Sequence, residues 1–259
     1  MGRILRGGGV STAVYSYPMR LAAVQYRPPK AAPDAARAGL CALVDEAGSL
    51  GARLIVCPEM ATTGYVWESP EEILPHAERA YGPTSRALGK LAAKHRAWVV
   101  SGFAETDGEH LYNSALILTP KGQLLGVYRK VLLYELDHTW ARQGDRRVLV
   151  KTELGVMSPS ICMDLNDPSY TQHLAQHRPK LVAFCTNWLE QGHDILPYWR
   201  ERLGAWRGWF VAANTWGTER GVRFYGRSAI LNPKGEAVVM AAPEGDAVLI
   251  AEAPDLAAK

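Results

Sequence analysis

Gly155-Val-Met-Ser-Pro-Ser-Ile-Cys162-Met-Asp164 reads as a buried strand that breaks at a cysteine. All of its first eight residues are apolar, small or proline, without the clean alternation of a half-solvated strand. Such runs belong to strands covered on both faces. A helical pattern follows over Ser169–His177, then a second strand over Leu181–Cys185. Strand, helix and strand in that order make the unit of an α/β sheet.

The same pattern extends outward. Downstream, Pro197–Trp209 is expected to be helical, with Pro197 in its first turn. Phe210–Ala213 is a strand. Ser228–Leu231 and Ala237–Met240 flank Asn232-Pro-Lys-Gly235 as a hairpin, and Ala247–Ala251 is the last strand. Upstream, Leu21–Gln25 and Leu54–Cys57 are strands, with a helix over Ala35–Leu50 that Gly51 stops. A helix over Thr84–His95, a strand over Trp98–Ser101 and a hairpin around Pro120-Lys-Gly122 complete that half. The two halves match, down to their Pro-Lys-Gly turns. They predict an α/β protein of two mixed sheets facing each other across an approximate two-fold, with helices outside. No linker divides Met19 to Lys259, which is expected to be one domain. Residues 1–18 carry Arg3, Arg6 and Gly7–Gly9 but little apolar content, and are expected to be a disordered, dispensable extension.

The 259 residues have a formal net charge of +3 with no basic block, so neither nucleic acid nor an acidic membrane surface is an expected partner. No apolar run is long enough to span a bilayer. Cys41, Cys57, Cys162 and Cys185 form no CxxC pair and read as reduced thiols of a cytoplasmic protein.

Three segments place a reactive side chain where a buried strand ends, the usual site position in α/β sheets. Cys57-Pro-Glu59, followed by Thr63-Gly-Tyr65, offers a carboxylate that taken alone reads more readily as a solvated loop residue or a helix cap. Tyr128-Arg-Lys130 interrupts an apolar run with charge, as a cavity lining or a guarded edge strand would. Ser160-Ile-Cys162-Met-Asp164 offers a thiol at a strand-to-turn corner, where backbone N–H groups favour a thiolate; the plain alternative is a buried structural cysteine. Cys41, Cys57 and Cys185 lie within predicted elements and read as core.

Together these segments resemble the nitrilase superfamily, the carbon–nitrogen hydrolases. Ala22-Ala-Val-Gln25 is similar to its opening strand, and Pro58-Glu59 with Gly64-Tyr65 to its glutamate motif. Tyr128-Arg-Lys130 is similar to its lysine motif and Ile161-Cys162-Met-Asp164 to its nucleophile motif. Asn187-Trp188, Asn214 with Gly217, and Tyr225-Gly-Arg-Ser228 through Gly235 match later landmarks. The resemblance spans Met19 to about Glu252. It implies a four-layer α-β-β-α sandwich, paired as a homodimer or higher oligomer, and an amidase acting on a linear amide with no cofactor. By the same resemblance Cys162 is the nucleophile, Glu59 the general base, and Lys130 with the Met163 N–H the oxyanion stabilisers. Lys130 is expected to keep Glu59 ionised. The family's second glutamate, which holds the lysine, maps onto Asp137, counting back from Gly144; Glu135 is the nearest glutamate.

Tyr65, Met163, Asn166, Asn187 and Trp188 are the expected substrate contacts. Met163-Asp164 after the cysteine resembles amide-cleaving rather than nitrile-cleaving branches. Asn166 stands where many relatives carry an arginine that holds a substrate carboxylate. With Tyr134 and Trp140, the segment is most similar to amidases that deaminate N-terminal Asn or Gln, so a peptide N-terminus joins small amides as an expected substrate. An N-carbamoyl amine hydrolase and a small aliphatic or ω-amidase are the rival enzymes. A catalytically dead binding or assembly subunit is the rival of another class, disfavoured by the intact Glu59, Lys130 and Cys162. His173 and His177 have a metal-ligand spacing but no acidic partner, so no metal is expected. Trp199, Trp206 and Trp209 recur at helical spacing and read as core or subunit contact.

Overall fold

The computed structural model describes residues 19–256; the expectation for the first eighteen residues lies outside the described residues. The first half runs β1 (Met19–Gln25), α1 (Pro33–Ser49), β2 (Ala52–Val56), the single turn α2 (Pro70–Ile73), α3 (Pro83–His95), β3 (Trp98–Thr106), β4 (Leu111–Leu118) and β5 (Leu124–Arg129). The second runs β6 (Val150–Thr152), β7 (Gly155–Ile161), α4 (Pro168–His177), β8 (Leu181–Cys185), α5 (Leu196–Leu203) and β9 (Trp209–Ala213). It continues through a β10 (Trp216–Glu219) and β11 (Val222–Tyr225) hairpin to β12 (Ala229–Leu231), β13 (Ala237–Met240) and β14 (Ala247–Ala253).

Alternation along β1 and β2 shows how the layers form. Leu21, Ala23, Leu54 and Val56 face the second sheet, where they pack with Met157, Ile161 and Val211. Ala22, Val24 and Ile55 face the other way, onto Leu40 and Val44 of α1 and Leu88 of α3. Both faces are buried, which is why these strands read as unbroken apolar runs. The result is the two-sheet sandwich with outer helices. Sheet order is β14-β1-β2-β3-β4-β5 and β13-β12-β9-β8-β7-β6. Each sheet centres on three parallel strands, β1-β2-β3 and β7-β8-β9, flanked by antiparallel ones. Each of the four longer helices has a proline in its first turn, where a missing N–H costs nothing.

Two differences from the expected elements have physical causes. The helix expected over Pro197–Trp209 ends at Leu203, because Gly204 turns away at φ +60°. Trp206 and Trp209 therefore leave the helix, yet all three tryptophans are buried. The last strand closes the first sheet against β1, a pairing that joins the two ends of the chain. The β10–β11 hairpin was not expected; its alternation is masked by half-buried polar residues. Among the described residues, no helix is long and apolar enough to cross a membrane.

Candidate active site

Pro58-Glu59 follows β2, Cys162 follows β7, Thr186-Asn187 follows β8 and Asn214 follows β9, so four carboxyl ends of parallel strands meet at one edge of the sandwich. The Glu59 turn is held by backbone alone. Gly102 on β3 donates its N–H to the Pro58 carbonyl (3.0 Å) and accepts from the Ala61 N–H (3.1 Å). A Cβ on Gly102 would stand 2.5 Å from both the Glu59 Cα and the Pro58 oxygen. Only glycine permits this approach. Lys130 is fixed in the same way: its carbonyl accepts from the Gly144 N–H (2.8 Å), and its N–H donates to the Asn113 carbonyl (2.9 Å).

The side chains then form a closed cluster. Lys130 Nζ donates to Glu59 Oε1 (2.7 Å) and to Asp137 Oδ2 (2.6 Å), and all three residues are fully buried. Glu59 Oε2 accepts from the Asn187 N–H (2.9 Å). Asp137 Oδ2 also accepts from the Tyr134 N–H (2.9 Å), which fixes the short side chain in place. Glu135 is exposed. Lys130 Nζ lies 5.7 Å from the centre of the Tyr65 ring. Tyr65 itself is anchored through its N–H by Glu219 of the unexpected hairpin (3.0 Å).

Asn113 is the member that sequence reading missed. Its Nδ2 donates to Glu59 Oε1 (2.7 Å) and to Asp137 Oδ1 (3.0 Å), joining the two carboxylates from β4. Within the apolar run Leu111–Leu118, a buried Asn-Ser pair was the available signal.

Cys162 sits at φ +39°, a left-handed conformation that costs a non-glycine residue energy and marks a corner built for its side chain. Asp164 holds this corner. Its Oδ2 accepts from the Ile161 N–H (2.9 Å) and the Tyr128 hydroxyl (2.7 Å). Its Oδ1 accepts from the Val131 and Leu132 N–H groups (3.0 and 2.9 Å), next to Lys130. One carboxylate thus ties the cysteine turn to the lysine segment. Residues 162–166 form a 3-10 turn, so the Met163 N–H has no carbonyl acceptor within it.

Burial pushes the Cys162 thiol up to about 12, and the Glu59 charge adds to this; Lys130, Thr186 and the Asn187 N–H act in the opposite sense. Burial also raises Glu59. Lys130 opposes that shift, Asp137 reinforces it, and the net displacement is upward. Lys130 acts in the expected sense, favouring the ionised carboxylate, while burial and the second carboxylate act against it. For Lys130 itself burial favours the neutral amine, but the charges of Asp137 and Glu59 prevail and raise its pKa.

In front of the cysteine lies a cavity of about 70 Å³, lined by Tyr65, Tyr134, Met163, Asn166, Asn187 and Trp188 among others. The structure therefore brings together Glu59, Lys130, Asp137 and Cys162, with Tyr65, Met163, Asn166, Asn187 and Trp188 around their opening. His173 stacks on Tyr170 instead, 4.7 Å from the His177 ring. Among the described residues no group of three His, Cys, Asp or Glu side chains is placed to hold a metal ion.

This arrangement of sheets has relatives. The carbon–nitrogen hydrolase family matches residues 20–258. A nitrilase of Pyrococcus abyssi is 32% identical over 90% of this chain and 89% of its own length. A protein N-terminal amidase of Schizosaccharomyces pombe is 27% identical over 72% of this chain and 81% of its own. A solved structure of a mutant amidase from Nesterenkonia sp. AN1, with the acetamide moiety of fluoroacetamide added covalently to its active-site cysteine, superposes with a TM-score of 0.82. It is 21% identical, and the match covers 93% of this chain and 92% of that one. The chain belongs to the carbon–nitrogen hydrolase family, and the two-sheet sandwich is that of nitrilase-superfamily amidases.

Proposed function

We propose that the chain hydrolyses a linear, non-peptide amide through a thioester on Cys162. The observation that carries this is a strained cysteine in front of a buried carboxylate–ammonium–carboxylate cluster. Glu59 takes the thiol proton, and the sulfur attacks the amide carbon. Lys130 has three N–H donors, two of them engaged by Glu59 and Asp137; the third and the Met163 N–H serve the oxyanion. Glu59 returns its proton to the nitrogen, the C–N bond breaks, and ammonia or an amine leaves. Water, losing a proton to Glu59, then attacks the thioester, which releases the carboxylate and restores the thiol. The raised pKa of Glu59 suits a group that must both take and give a proton.

A narrower reading, deamination of N-terminal Asn or Gln, has the support of the 27% identity to the fission-yeast N-terminal amidase. Tyr134 and Asn166, part of the segment that carries that likeness, lie on the cavity wall. The test is ammonia release from simple amides and from peptides with N-terminal Asn or Gln, each against Cys162→Ala. Mass spectrometry should find an acyl group on Cys162. Wild-type release no greater than that of Cys162→Ala across both sets would overturn the proposal.

A further inference from the structure

We infer that Thr186 is a further catalytic residue, whose hydroxyl donates a hydrogen bond to the Cys162 sulfur once the thiol has given up its proton. The inference rests on the amidase reading above. β7 and β8 run parallel with Ile161 opposite Cys185, so Cys162 and Thr186 leave their strands side by side at the site edge. The Thr186 N–H donates to the Ala213 carbonyl (2.9 Å), which fixes its backbone, and a β-branched side chain has little freedom at χ1. Its hydroxyl is fully buried and, among the described residues, has no hydrogen-bond partner in the resting geometry. A buried hydroxyl left in this state weakens a fold, so its presence beside a nucleophile calls for a chemical use.

The neighbouring donors are committed elsewhere: the Asn187 N–H to Glu59 Oε2, and Lys130 Nζ to Glu59 and Asp137. A neutral thiol is a weak acceptor, so the Thr186 hydroxyl gains little from it at rest. A thiolate is a charged acceptor, and bonds of that kind are roughly twice as strong. The bond therefore forms as charge develops on sulfur and stabilises the attacking state more than the resting one. In keeping with this, Thr186 favours the ionised form of the thiol, against burial and the Glu59 charge. The threonine keeps its own proton throughout; Glu59 takes the one from sulfur. When the C–S bond forms, the charge passes to the amide oxygen and the hydroxyl is released. It serves again when the thioester breaks down and the sulfur leaves as an anion.

Two variants test this. Thr186→Val removes the hydroxyl and keeps the branched shape, whereas Thr186→Ser keeps the hydroxyl. The ionisable groups Glu59, Lys130, Tyr65 and Tyr134, which act on the sulfur or feel its charge, are the same in both. Thr186→Val should lower kcat/KM for a simple amide at least about tenfold, with a melting temperature equal to or above that of the wild type. Thr186→Ser should stay within about threefold of wild type. Iodoacetamide alkylates Cys162 with loss of iodide and needs no amide hydrolysis. Its rate at fixed pH, read by peptide mass spectrometry against Cys41 in the same sample, should fall at least about tenfold in Thr186→Val and recover in Thr186→Ser. Unchanged alkylation in Thr186→Val would overturn the inference whatever happens to turnover, and so would equal losses in the two variants. If no amide is hydrolysed by the wild type but alkylation slows in Thr186→Val alone, the sulfur donor stands and the amidase reading fails.

Discussion

Lys130 Nζ lies 2.6 Å from Asp137 Oδ2 in a site from which both side chains are wholly excluded from water. The aspartate reaches because Lys130 is drawn close by the Gly144 contact and Asp137 is turned inward by the Tyr134 N–H. A buried ammonium without this partner would sit where desolvation favours the neutral amine.

Asp137→Asn should lower kcat at least about tenfold, a loss of roughly 1.4 kcal/mol of transition-state stabilisation. It should also move the acid limb of the pH profile. The Asp137 charge raises Glu59, so its removal lowers the pKa of Glu59 and carries the limb to lower pH. Glu135→Gln, at an exposed position, should leave both nearly unchanged. A damaging Glu135→Gln with a silent Asp137→Asn would overturn the assignment of Asp137 as positioning residue.

Asn113→Leu should shift the same limb in the opposite direction. The Asn113 amide hydrogen-bonds the Glu59 carboxylate and lowers its pKa, so its loss raises the pKa and moves the limb to higher pH. The profile of kcat/KM against pH for the two variants, run side by side, checks the opposed signs. A shift of both in one direction would mean that the cluster titrates as something other than these contacts.

Gly102→Ala should cost more activity than stability. The added carbon has no room beside the backbone of Pro58 and Glu59, so the glutamate turn must move. Overpacking of this kind costs about 1–3 kcal/mol of stability, whereas a displaced general base costs rate steeply. Thermal unfolding should show a modest loss while kcat falls about a hundredfold or more; unchanged kcat would show that the turn adjusts without moving the carboxylate.

Among the four free cysteines, loss of Cys162 alone should abolish turnover. Cys57 and Cys185 are fully buried, and burial raises both thiols, so neither should label in the folded protein. Cys41 is half-buried on α1 and is the competitor for electrophiles, although burial raises its pKa also. Cys41→Ser should therefore change labelling stoichiometry and leave ammonia release intact. Loss of activity in that variant would contradict the role proposed for Cys162.

Much of this protein is legible along the chain because its signals are local. Apolar runs of strand length, proline at helix starts and Pro-Lys-Gly turns are each encoded within a few residues, and they determined the alternation of strands and helices and the two-sheet class. The strand-terminal positions of Glu59, Lys130 and Cys162 were local in the same way. What only the tertiary structure decided depends on groups far apart in sequence. Asn113 joins Glu59 to Asp137 across separations of 54 and 24 residues. Glu219 anchors Tyr65 from a hairpin 154 residues away, and β14 closes the sheet that β1 opens. The upward shift of Glu59 belongs here too, since burial and a second carboxylate exist only after the fold has removed water from around them.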